Sequence, residues 1–156
     1  MLARLHPGEN RHSIRVALRH TGEVLRRLKR HDAALAHAQR ALDMEREAKQ
    51  GRDDMSLASA MNSVAVVLDD LQRYPEALEM HQQSLSMKLR LFGENTDHGE
   101  IATSLSNISY ALEAMGRRKE ALQYCTRAYE MRQRLFGDGH QHTRKSLARL
   151  QRLKQS

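Results

Sequence analysis

The sequence predicts an all-α solenoid of three helical hairpins closed by a C-terminal capping helix. Three observations predict it. The stretch MKLRLFGENTDH from Met87 is written again as MRQRLFGDGHQH from Met131, 44 residues later, and repetition at such a period marks a stacked array. Apolar residues recur at helical spacing within each copy. Composition favours helix over strand, with abundant Ala, Leu, Arg, Glu and Met and only 4% aromatic residues.

The repeat extends beyond the opening match. Glu76-Ala77-Leu78 returns as Glu120-Ala121-Leu122, and a fainter copy, Asp32-Ala33-Ala34-Leu35, precedes them. Met44, Met87 and Met131 fall at one place in successive copies. The chain is thus read as a single domain over 1–156, with repeat one at about 9–50, repeat two at about 54–93, repeat three at about 97–137 and a capping helix at about 143–155.

In the second repeat Leu57, Met61, Val64, Ala65 and Leu68 share one helix face. A polar turn at Gln72-Arg73-Tyr74 follows, and Pro75 suits the start of the next helix because its missing N–H has no bond to lose there. Ala77, Leu78, His81, Leu85 and Met87 continue a second amphipathic helix. The third repeat matches with Ile101, Leu105, Ile108, Leu112 and Met115, a turn at Gly116-Arg117-Arg118, and a helix from Ala121 to Leu135. Asp97 with Glu100 is expected to cap its first helix. Gly93 and Gly137 are expected to end the second helices in a left-handed cap. Leu147, Leu150 and Leu153 give the last segment one apolar side, with Arg144, Lys145, Arg149, Arg152 and Lys154 around it. No hairpin can bury its apolar face alone, so the three are expected to stack.

The net charge of +7 raises nucleic acid as a partner, but its distribution argues otherwise. Residues 1–31 and 144–156 are basic and the middle is acidic, so no continuous phosphate-binding stripe forms. Two Phe, four Tyr and no Trp also offer little stacking surface. RNA binding through the basic ends is the weakest of the functional expectations. The N-terminus lacks the apolar core of a secretory signal, and Val64–Leu68, the longest apolar run, is too short to span a bilayer. Cys125 stands alone, so no disulfide framework exists, and a cytoplasmic location is expected.

Catalytic motifs are missing: there is no phosphate loop, no H-E-x-x-H and no G-x-S-x-G. No enzymatic activity, cofactor or metal is expected. His140 and His142 follow a cap glycine and read as a structural linker before they read as metal ligands. Cys125 reads as a packed core side chain before it reads as a reactive thiolate.

Met61, Ala65, Leu68 and Ala77 in repeat two, Leu105, Ser109, Leu112 and Ala121 in repeat three, and Leu18, Gly22, Leu25 and Ala34 in repeat one follow one pattern. That pattern resembles the tetratricopeptide repeat. The period exceeds the ordinary repeat of about 34 residues, so the chain is most similar to the long-helix branch found in kinesin light chains. That branch often joins its repeats with Leu-Gly-x-x-His-Pro. LFGDGHQHT and LHPGEN match this in part, and LFGENTDHGE carries extra residues. A HEAT- or armadillo-like hairpin fits the period equally well, but lacks the small residues at the crossing and the tight turn before Ala-Leu.

The resemblance implies a right-handed solenoid acting as a protein-interaction scaffold, with a peptide or partner segment held in a concave groove lined by the first helices. Carried over position by position, that groove comprises Arg19, Glu23, Arg26 and Arg27 from repeat one, with Val16 and His20. Repeat two contributes Asn62, Val66 and Asp69, with Ser59, Ser63 and Asp70. Repeat three contributes Ser106, Asn107, Tyr110 and Glu113, with Thr103.

Asn62 and Asn107 either hold a peptide backbone, since an amide both donates and accepts, or merely solvate a helix face. Arg26 either pairs with Asp69 or joins Arg19 and Arg27 in attracting an acidic segment. Asp69 and Asp70 lie near a helix C-terminus, where the macrodipole disfavours acids, so another group must favour them. Glu23 stands where the carboxylate clamp of heat-shock-chaperone adaptors needs an Asn, which argues against that mode. The competing expectation is a sensor fragment of a larger signalling ATPase, with upstream domains suggested by the linker-like LHPGEN.

Overall fold

The computed structural model describes residues 7–155, and every regular element among them is an α-helix. These are α1 (Pro7–Arg27), α2 (His31–Lys49), α3 (Met55–Asp70), α4 (Tyr74–Phe92), α5 (Gly99–Ala114), α6 (Arg118–Phe136) and α7 (Gln141–Gln155). Leu5 and His6 of the linker-like stretch lie outside the described residues.

Helices pair as α1/α2, α3/α4 and α5/α6, and each pair packs on the next through α2 on α3, α4 on α5 and α6 on α7. The first helices also touch one another, α1 with α3 and α3 with α5. Among the described residues the extensive contacts therefore run within a hairpin or between successive hairpins, which makes the fold an all-α solenoid of helical repeats.

The hairpin turns are one device used three times. Lys29, Gln72 and Gly116 have positive φ of 58°, 59° and 75°. The amide after each reaches back five residues: Arg30 to Leu25 O, Arg73 to Leu68 O and Arg117 to Leu112 O, each at 2.9 Å. This six-residue closure satisfies carbonyls that the helix end leaves open. Pro75 lies within the first two positions of α4.

Two expected caps differ in detail. Asp97 does not cap α5; His98 does, its side chain accepting from Glu100 N. Asp97 sits one residue outside and receives Arg134 Nε and Nη2 at 2.7 and 2.8 Å, as Asp53 receives Arg90. A bidentate arginine thus clasps the open end of the second and third hairpins. Gly93 and Gly137 do have positive φ, 96° and 75°, but ψ of 141° and 171° rather than left-handed helix. The chain must extend at once toward the next hairpin, and a backbone extended at positive φ tolerates only glycine.

Small residues set the crossings. Ala34, Ala65, Ala77, Ser109 and Ala121 are fully buried. A Cβ on Gly22 would meet Ala34 O at 3.4 Å, so the α1 and α2 backbones already touch. Ser109 Oγ donates to Ala121 O at 2.8 Å, so the hydroxyl serves the crossing as well as the volume does. Around these points Leu42, Leu57, Val64, Ile101, Leu105, Ile108 and Leu112 form the core, each burial stabilising by about 1.5–3 kcal/mol.

Charged groups stitch successive hairpins from inside. Lys88 on α4 is 1% exposed, and its Nζ donates to Glu100 Oε2 at 3.1 Å and Ser104 Oγ at 3.0 Å on α5. Arg132, 44 residues later, donates to Ser106 Oγ on α5 and Ser146 Oγ on α7. Burial pushes the Arg132 guanidinium below its usual range. Glu45 holds the matching place on α2, taking Arg15 Nε and Ser56 Oγ.

Candidate functional site

The first helices α1, α3 and α5 stand side by side, so their outward residues share one wall. Between α1 and α3 this wall holds a cavity of about 360 Å³ lined by Arg19, His20, Glu23, Arg26, Asn62 and Val66, among others. These six, with Ser63, are residues the sequence reading assigned to a groove, and here they lie together. Arg27 is exposed just beyond them, and its Nε donates to Glu23 Oε1 at 2.7 Å.

Charge inside the cavity is largely spent. Arg26 donates to both oxygens of Glu23, at 2.9 and 3.1 Å, and to Asp70 Oδ2 at 3.0 Å. The Arg26 hydrogen bonds, joined by those of Arg27, hold the Glu23 carboxyl down to about 2. Arg19 differs. It lines the cavity half-buried and has no carboxylate partner among the described residues.

Asp69 corrects two expectations. It is buried rather than open to a groove, and Arg26 pairs with Asp70 instead. One residue of helix turn makes the difference: Asp69 faces α4, where its Oδ2 lies 2.9 Å from His81 Nε2. His81 is fully buried at a position filled by Ala38 and Cys125 in the other hairpins. The acids at the end of α3 thus answer to His81 and Arg26, which offset the unfavourable macrodipole.

Asn62 and Asn107 meet each other, Asn107 Nδ2 donating to Asn62 Oδ1 at 3.0 Å. They are 45 residues apart, one more than the helix register of 44, so they face across the junction instead of projecting in parallel. Each keeps hydrogen-bonding capacity: Asn62 its two amide donors, Asn107 its carbonyl oxygen.

At the far end α7 covers part of the expected groove. Arg149 and Arg152 donate to Glu113 at 2.8 and 2.9 Å, and Arg149 Nη1 donates to Ser106 O at 3.2 Å. The Arg149 guanidinium also lies 5.5 Å over the Tyr110 ring. Glu113 is thus neutralised from within the chain, and Ser106 spends its hydroxyl on Arg132. Tyr110 stays 47% exposed and meets Tyr74 edge-on, with ring centroids 6.4 Å apart. Arg149 and Tyr74 escaped the sequence reading. The repeated cation at Lys88 and Arg132 was visible beside Met87 and Met131.

Among the described residues no group of three or more His, Cys, Asp or Glu could hold a metal ion, and no helix is long and apolar enough to cross a membrane. His140 stacks on Phe136 and its Nδ1 accepts from His142 N, as His98 stacks on Phe92 and caps α5. The repeated twelve residues therefore encode one joint: a Phe ending a helix, a glycine turning the chain, and a His capping the next helix against that Phe. Cys125 is buried against α7, and burial pushes its thiol up.

No curated protein sequence matches the chain. Solved structures do resemble it. A kinesin-light-chain-like protein from Podosopora anserina with nearly identical TPR-like repeats matches with a TM-score of 0.81 at 14% identity, covering 89% of this chain and 64% of that one. BtubC (BKLC) from P. vanneervenii gives 0.71 at 18% identity, covering 85% and 51%. A TPR-like protein from Chlorobium tepidum gives 0.70 at 18% identity, covering 93% and 97%. The chain thus spans less than two thirds of the first two proteins, and at these identities the likeness speaks for the fold alone. Family models described as tetratricopeptide repeat match residues 8–90 and 101–142. With the first match alone spanning more than half the sequence, the chain belongs to the tetratricopeptide repeat family.

Proposed function

We propose that this chain is a protein-interaction scaffold that holds a partner segment along α1, α3 and α5, with an acidic side chain of that segment on Arg19. Its family, whose members generally serve as such scaffolds, supports the coarse reading. The observation that carries the finer one is the state of Arg19: a half-buried cation on a cavity wall, without a carboxylate, beside neighbours whose charges are already paired. A cation held partly out of water gains from an incoming carboxylate, at roughly 1.5–3 kcal/mol for a charged hydrogen bond.

The remaining wall suits a polypeptide. The Asn62 amide and the Asn107 carbonyl match the carbonyl and N–H of a peptide backbone, whatever its sequence. Val66 and the exposed Tyr110 add apolar contact on either side. Arg26 and Arg27 steer an acidic segment at long range more weakly than bare cations, because Glu23 and Asp70 offset them.

Selection of a random peptide library on the folded chain tests this. Recovered peptides carry Asp or Glu and lose at least about tenfold in affinity on Arg19→Glu. Peptides indifferent to Arg19, Val66 and Tyr110 substitutions would remove the groove from the account.

A further inference from the structure

We infer that the outer face of α1, away from the cavity, is a second docking surface, and that it takes an acidic amphipathic helix of a partner protein.

Ile14, Ala17, Thr21 and Val24 recur at three- and four-residue steps and form one stripe along α1, which Leu28 continues just past the helix end. All five are exposed, Ile14 at 41%, Val24 at 55% and Leu28 at 65%. The counterparts of the first four, 43 residues later, are Leu57, Ala60, Val64 and Val67, 2–4% exposed under α2, while Leu71, the counterpart of Leu28, is partly buried. In the third hairpin Ile101, Ser104, Ile108 and Ala111 are fully buried under α4. The same face thus occurs three times, twice covered by a helix and once open. Scattered exposed apolar residues need no explanation, but a continuous stripe marks a contact surface.

The covered copies also show what kind of object fits. Ala38 and Leu42 of α2 meet the α3 face, and Leu78 and Leu85 of α4 meet that of α5. A helix with an apolar stripe is the complementary shape.

Charge selects the partner's margins. By helical phase Arg11 and Arg27 flank the stripe, and Lys29 and Arg30 lie past its C-terminal end. Arg11, Lys29 and Arg30 have no carboxylate partner among the described residues. Of the two acids of this helix, Glu9 stands near its start, and Glu23 lies towards the cavity, held by Arg26 and Arg27. Two copies meeting through α1 would set these cations against one another. Stacking α1 on the α7 of another copy meets exposed Arg144, Lys145 and Lys154. Like charges oppose both arrangements, whereas Glu or Asp beside an apolar stripe satisfies the face.

The test uses a synthetic helix-forming peptide with a Leu stripe and Glu margins, and a counterpart with Lys margins. Fluorescence anisotropy should show the acidic peptide binding at least about tenfold more tightly. The double variant Val24→Ser/Leu28→Ser should remove that difference, while Leu91→Ser, at an exposed leucine of α4, leaves it intact. Amide exchange should slow in residues 14–28 on binding. The substituted side chains are exposed, and unchanged circular dichroism of the variant checks that it is folded. Equal binding of both peptides, no binding, or protection confined to α3 and α5 overturns the inference. So does a concentration-dependent dimer abolished by Val24→Ser/Leu28→Ser, which assigns the face to a second copy.

Discussion

Asn107 donates its side-chain amide to Asn62 Oδ1 at 3.0 Å, tying the first helix of the third hairpin to that of the second. A neutral, half-buried hydrogen bond contributes about 0.5–1.5 kcal/mol net. Asn62→Ala and Asn107→Ala should each lower stability by about that amount, and the double variant by little more than either single. A double-mutant cycle in urea measures the difference, and a coupling near zero would mean that the two amides act independently.

Lys88 separates charge from volume in the core. Its ammonium, 1% exposed, is balanced by Glu100 and Ser104, and its aliphatic stem fills space between α4 and α5. Lys88→Met keeps the volume and leaves Glu100 free to turn to water, since that carboxylate is half exposed. It should fall within about 1 kcal/mol of the parent, because well-packed apolar replacements of buried ions are often neutral. Lys88→Ala opens a cavity and should cost about 2–4 kcal/mol. Equal losses in urea denaturation would mean that the charge, not the packing, is what the junction needs.

These two junctions show where sequence reading succeeds and where it stops. Helix pairing, turn positions and the small crossing residues were legible because they obey a period: Gln72 and Gly116, or Ala77 and Ala121, repeat one requirement of backbone geometry. Of the residues assigned to a groove, Arg19, Glu23, Arg26, Asn62 and Val66 lie together at one cavity. Partner choice was not legible, because it turns on single residues of helix phase. Asp69 and Asp70 are adjacent in sequence, yet one faces His81 in the hairpin interior and the other faces Arg26. Tyr110 and Glu113 both lie on α5, but nothing in their own repeat shows that Arg149 arrives from α7.

Acid should loosen α3 from its N-terminus. Asp54 caps that helix, accepting from Ser56 N at 2.7 Å, and pairs with Lys49 Nζ at 2.9 Å. The Ser56 hydroxyl, then Lys49, holds its carboxyl down to about 2, below the roughly 3.9 of an unfolded chain. A depressed carboxylate stabilises the fold fully above the unfolded value, and that contribution is lost as pH falls from about 4 towards 2. Asp54 is about one-third exposed, so solvent screening reduces the effect to about 1 kcal/mol. Asp54→Asn keeps a capping acceptor without the charge. The variant should be weaker than the parent at pH 7 and nearly equal to it at pH 2, in thermal melts at constant ionic strength. A constant difference across that window would place the stabilisation elsewhere.

Glu113 and Leu150 divide the holding of α7 between charge and packing. Glu113 receives both Arg149 and Arg152, yet the Arg152 side chain is 65% exposed and that of Glu113 29%. Pairs this open to water contribute about 0–1 kcal/mol each. Leu150 and Leu153, by contrast, are 5% and 2% exposed and join Cys125 in a small cluster between α6 and α7. Glu113→Gln should therefore change global stability by under about 1 kcal/mol, while amide exchange in residues 141–155 speeds up locally. Leu150→Ala should cost about 2–4 kcal/mol. If Glu113→Gln instead matched Leu150→Ala, the arginines would be holding α7 in place, and releasing them would expose Tyr110 and extend the wall by one helix.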